Sequence, residues 1–104
     1  MLFLCYLEVN DNKSPQEMEP YMQKALQAGI LEPEGIKIIR FDGTPDNWGV
    51  ITMEADSAMA VERFITTLRA AFPGYFKNFK TSSALSVDEA TQLEAEILKT
   101  VRSW

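Results

Sequence analysis

An α+β fold built on one antiparallel sheet is predicted by three features of the sequence. Four short runs are dense in aliphatic, β-branched and aromatic residues, two stretches of helical apolar periodicity lie between them, and a third such stretch follows the last run. The first run, Met1 to Val9, is apolar except for Glu8. Successive side chains on a strand point to opposite faces, so Leu2, Leu4 and Tyr6 share one face while Phe3, Cys5, Leu7 and Val9 share the other. Both faces call for burial, and helices in a chain of this size cover only one.

Asn10 to Lys13 form a polar loop, and Ser14-Pro15-Gln16-Glu17 has the capping-box spacing with proline at the first helical position. Met18, Tyr21, Met22, Ala25 and Leu26 then recur at intervals of three and four, and Gly29 stands where the helix should end. Leu31 to Glu34 connect to a second strand, Gly35 to Phe41. Asp42 to Asn47 supply turn chemistry for a wide hairpin, and a third strand runs from Trp48 to Glu54. Asp56 is placed to cap a second helix whose stripe is Val61, Phe64, Ile65, Leu68 and Phe72, closed by Pro73-Gly74. Tyr75 to Thr81 make a shorter strand whose lysines suit a sheet edge. A second capping box, Ser86 to Glu89, opens a third helix over about 86–102, with Ala90, Leu93, Ile97, Leu98 and Val101 expected inward. Its acids lie early and its bases, Lys99 and Arg102, late, as the helix dipole favours.

This order is the ferredoxin-like βαββαβ pattern with an added C-terminal helix, in a single domain spanning 1–104. Strands one and three are expected at the centre of a four-stranded antiparallel sheet, with both crossover helices on one side. The opposite face then carries one parity set from each strand. For the first strand the pattern leaves both sets open, Leu4 and Tyr6 or Cys5 and Leu7.

The sequence has ten basic and fifteen acidic residues, a net charge of −5, and no histidine. The acidic balance argues against a polyanionic partner, so nucleic acid is not expected. Lack of histidine removes the usual general base near neutral pH, the commonest metal ligand and the usual haem ligand. No metal site and no cofactor are expected. The lone cysteine, Cys5, cannot form an internal disulfide and reads as a buried core residue. The apolar start has no basic leader and no small-residue cleavage site, so it reads as structure, with a cytoplasmic location and no membrane span expected.

Leu31-Glu32-Pro33-Glu34-Gly35-Ile36, Met53-Glu54-Ala55-Asp56 and Phe64-Ile65 resemble a family of short, uncharacterised bacterial proteins that is similar to the dimeric α/β-barrel superfamily. The resemblance covers roughly residues 1 to 85. It implies a homodimer in which two sheets pack face to face, with a cavity within the barrel or between sheet and helices. The chain departs from that pattern in its second helix, where Phe64 and Leu68 stand at positions expected to hold tryptophan.

Four residues are candidates for ligand binding. Tyr6 and Glu8 share a strand face with Leu4 and can form the polar end of an apolar cavity, although Glu8 equally marks where the strand meets solvent. Arg40, inside an apolar strand, can receive a carboxylate bidentately or make a surface ion pair. Trp48 can roof a cavity or simply close the hairpin. Pro33-Glu34-Gly35 is better explained as a turn, and Glu54 with Asp56 offers too few oxygen ligands for a metal.

The leading expectation is therefore a dimeric domain holding a small apolar or amphipathic ligand, fatty-acid-like or aromatic. The alternative is a cofactor-independent monooxygenase or isomerase of the α/β-barrel type, a reading that the missing histidine weakens; no catalytic residue is assigned. An interaction protein whose second sheet face is consumed by dimerisation stands close to the first. An RNA-recognition-like module shares the element order, but Val50 and Met53 replace its aromatics and Asp46-Asn47 its basic lead-in.

Overall fold

The computed structural model describes residues 1–104, all side chains included except that of Pro15. Four strands, β1 (Leu2–Val9), β2 (Ile36–Gly43), β3 (Trp48–Ala55) and β4 (Phe76–Ser83), form one sheet in the order β2-β3-β1-β4. Every neighbouring pair is antiparallel. The helices are α1 (Pro15–Gln27), α2 (Ala58–Ala71) and α3 (Val87–Arg102). The fold is ferredoxin-like with a C-terminal helix, and the two most apolar strands, β1 and β3, hold the centre.

Register settles the parity of β1. Phe3, Cys5 and Leu7 are buried with Ile51, Met53 and Ala55 of β3, beneath Met18 and Ala25 of α1 and Val61, Phe64, Ile65 and Leu68 of α2. Leu2, Leu4, Tyr6 and Glu8 therefore take the open face. Opposite them in β3 lie Glu54, Thr52, Val50 and Trp48. Full burial gives each core aliphatic or aromatic side chain about 1.5–3 kcal/mol over exposure, so the helix-covered face carries the stability of the body.

Several local expectations are corrected. Asp56 does not cap α2; Ser57 does, its hydroxyl accepting the Ala60 N–H at 3.1 Å. Asp56 instead donates its backbone N–H to the Gly35 carbonyl at 3.0 Å, tying the Pro33–Gly35 turn to the end of β3. Gly35 has φ +76°, which glycine adopts without a Cβ penalty. In α1, Ser14 accepts the Glu17 N–H as the capping spacing requires, but only Met18 and Ala25 of the five-residue stripe are buried. Pro20 lies inside this helix and removes one N–H from its ladder. β2 and β4 each run two residues further than expected, to Gly43 and Ser83, and β3 one further, to Ala55.

The largest correction concerns α3. Its capping box forms in full, with Ser86 Oγ accepting the Glu89 N–H at 3.1 Å and Glu89 Oε1 accepting the Ser86 N–H at 3.3 Å. Yet Ala90, Leu93, Ile97, Leu98 and Val101, expected inward, are all exposed. The radius of gyration is 17.1 Å, against about 13 Å for a compact chain of this length. With a long axis of 59 Å, the molecule is a compact body from which a helical arm projects.

Candidate functional site

Two surfaces hold the candidate residues. The first is the open face of the sheet. Tyr6 donates its hydroxyl to Glu8 Oε1 at 2.9 Å, and its ring meets that of Trp48 at 5.7 Å between centroids. Lys80 Nζ, from the strand on the other side, lies 5.9 Å from the Tyr6 ring centre, so an aromatic pair is flanked by a carboxylate and an ammonium. The hydrogen bond to Glu8 is the main cause that raises the Tyr6 hydroxyl above its ordinary pKa, because it favours the protonated donor. Arg40 is on the same face but stands apart. Its partner in β3 is Thr52, one pair removed from the Val50 that faces Tyr6, and its guanidinium is held bidentately by Asp42 at 2.9 Å twice. Three of the four sequence candidates are thus brought together, and the fourth is engaged in an exposed ion pair.

The second surface was not signalled by any single residue. On the helix-covered face, Leu7 pairs with Gly49 and Gly49 with Gly43, so two adjacent core positions carry no side chain. The gap is the floor of a cleft of about 350–450 Å³ class; its measured volume is ≈ 440 Å³, within the range of small-molecule sites. Met22 of α1 and Leu68 and Phe72 of α2 roof it, and Val9, Phe41 and Tyr75 form its sides. The lining is largely apolar. Among the described residues Lys13 is its one charged member, with Thr44 and Asn47 the polar neighbours. Trp48 also borders the cleft, whereas Tyr6, Glu8 and Arg40 do not line it.

The loops at this end of the sheet are tied to one another, which fixes the cleft's shape. Val9 donates its N–H to the Asn47 carbonyl at 2.8 Å, and Asn10 bonds the Tyr75 carbonyl through its backbone and the Gly74 carbonyl through its side chain, both at 2.8 Å. Asn47 adopts φ 62°, a left-handed conformation that asparagine tolerates better than most residues. Gly49 is required on steric grounds: a Cβ there would lie 2.7 Å from the Asp42 carbonyl oxygen. Gly43 is different, since a Cβ there meets nothing within 4 Å and would point into free space. The signal for this cleft is a pair of glycines flanking one hairpin, visible only once the register sets them opposite each other.

Chemically, the cleft can hold an apolar body and meet one negative charge. It offers no buried acid or base: among the described residues no polar or charged residue is buried, and no group of three potential metal ligands is brought together. Cys5 is fully buried outside the cleft lining, and desolvation pushes its thiol above the ordinary pKa, which disfavours the reactive thiolate. No described helix is long and apolar enough to cross a membrane. No protein-family model matches the chain, and no curated protein matches it significantly.

Proposed function

We propose that this chain is a homodimeric ligand-binding domain, related to the dimeric α/β barrels, whose cleft takes a small amphipathic molecule with an apolar body and an anionic end. The observation that carries the ligand reading is the apolar cleft of ≈ 440 Å³ with Lys13 as its one charged lining residue. A monocarboxylate of medium chain length or a compact aromatic acid has the matching chemistry. Burying the apolar body supplies affinity, and the ammonium of Lys13 supplies orientation. The dimeric reading draws support from the open sheet face, where Leu4, Tyr6, Val50 and Trp48 form an apolar centre that the helices leave uncovered. In this reading Tyr6, Glu8, Trp48 and Arg40 act at the junction of two sheets.

Binding of 1-anilinonaphthalene-8-sulfonate, followed by its fluorescence and by displacement with decanoate, tests the cleft. Gly43→Val should fill the floor without a clash and weaken binding about tenfold or more, equivalent to at least about 1.4 kcal/mol. Lys13→Ala should narrow the preference for decanoate over decanol. Equal binding by wild type and Gly43→Val would place the probe elsewhere and sink the reading.

A further inference from the structure

The arm α3 and the cleft stand at opposite ends of the sheet. The last ladder bond of β4 runs from the Ala84 N–H to the Leu2 carbonyl, and the N-cap of α3 is Ser86, so only Leu85 separates the ladder from the helix. The cleft gathers around Val9, Gly49 and Tyr75, at the far end of β1. Eight residues of strand put about 26 Å between those ends, and α3 extends a further ~24 Å in its own length. One connecting residue cannot turn the helix back over that distance, so the arm cannot reach its own cleft.

Both surfaces are apolar and uncovered. At 100° per residue, Ala90, Leu93, Ile97 and Val101 fall within an arc of about 80°, and Leu93 and Ile97 are 46% and 53% exposed. A lone helix of this length is marginal in water, so the stripe needs a surface to pack on. At the cleft, Met22 and Phe41 are 41% and 53% exposed, and Leu26, one turn beyond Met22, is 54% exposed. Charge agrees with the match. Glu89, Glu94 and Glu96 flank the α3 stripe, while Lys13 lines the cleft and Lys24 lies on α1 beside its rim.

We infer that α3 is an exchanged arm: in a pair of chains, each α3 lays its apolar stripe on the partner's cleft rim, at Met22, Leu26 and Phe41, and closes the ligand site. The exchange is reciprocal about a two-fold axis, so both uncovered surfaces are satisfied in a closed dimer. A helix ~24 Å long and ~10 Å wide covers about 240 Å²; two arms, each burying surface on both sides, remove about 1,000 Å², the size a specific interface needs. The inference rests on the homodimeric, ligand-binding reading above. It adds that the site of one chain is completed by the other.

Cross-linking of the full-length chain tests this. Copies carrying Ile97→Cys are mixed with copies carrying Leu26→Cys and treated with a short bismaleimide; Cys5 is fully buried and does not compete. A covalent dimer in the mixture, absent from either variant alone and lost when Leu93→Glu is added to the Ile97→Cys chain, is the expected result. Cross-linking of Ile97→Cys copies with each other would mean that the arms pair together, and would overturn the proposal. Native mass spectrometry separates the other failures. A wild-type dimer without the mixed cross-link removes only the exchanged arm, and a monomer removes the arm and the homodimer together. A monomer that still binds the sulfonate probe leaves the cleft reading standing.

Discussion

The helices α2 and α3 are written in the same language and used differently. Each has a serine N-cap, an apolar stripe at helical spacing and a basic residue in its last turn. α2 buries Val61, Phe64, Ile65 and Leu68 against β1 and β3; α3 buries nothing. Amphipathicity states that a helix needs a surface, and does not state whose. The crossover of α2 has strands on both sides to return it to the sheet, whereas α3 follows the last strand and is constrained at one end only.

The contrast breaks most sharply in the cores of the two helices. Phe64→Ala removes a side chain that is 2% exposed and should cost about 3–5 kcal/mol in denaturant unfolding, whereas Ile97→Ala should stay within about 0.5 kcal/mol when the chain is dilute. A loss of several kcal/mol at Ile97 under dilute conditions would show α3 packed on its own body. The caps sharpen the point at a smaller scale. Ser57→Ala and Ser86→Ala each remove a hydroxyl that accepts a backbone N–H and should cost about 1 kcal/mol of helix stability. For Ser57 that loss should appear in global unfolding, and for Ser86 only as faster amide exchange confined to α3.

The smallest effect lies on the open face. Arg40 holds the Asp42 carboxyl below its ordinary pKa, mainly by hydrogen bonding. A carboxylate with a lower pKa folded than unfolded contributes stability above its unfolded pKa and loses it as pH falls through the folded value. Both groups are exposed, so the contribution is slight and confined to acid pH. Carbon-detected NMR titration should find the Asp42 midpoint below the ordinary aspartate value and Arg40→Gln should return it; an unchanged midpoint would show that the ion pair does not persist in solution.

Much of the fold was legible because periodicity, caps and turn residues agree in each segment: the α2 stripe from Val61 to Phe72 is buried as read, and β4 lies at an edge as its lysines suggest. What was not legible depends on register. The face of β1 that receives the helices cannot be read from a strand apolar on both sides, since Leu4 and Cys5 are equally suited to burial until the neighbours choose. Tyr6, Glu8 and Trp48 were placed together correctly by parity and hairpin position, but Gly43 and Gly49 make a cleft only because pairing sets them side by side. Sequence reasoning treated that hairpin as a turn, and the space it leaves is a property of two strands at once.

The bulge in β2 has a consequence for association. Ile38 faces Met53 and Arg40 faces Thr52, so Ile39 is an extra residue that interrupts the ladder on one outer strand. Lys37 and Arg40 flank it, and on the other outer strand β4 carries Lys77 and Lys80. A kinked, cationic border is a poor template for another strand, so endless growth of sheet upon sheet is disfavoured at both margins. Copies of this chain are thereby steered away from fibres and toward contacts that close on themselves.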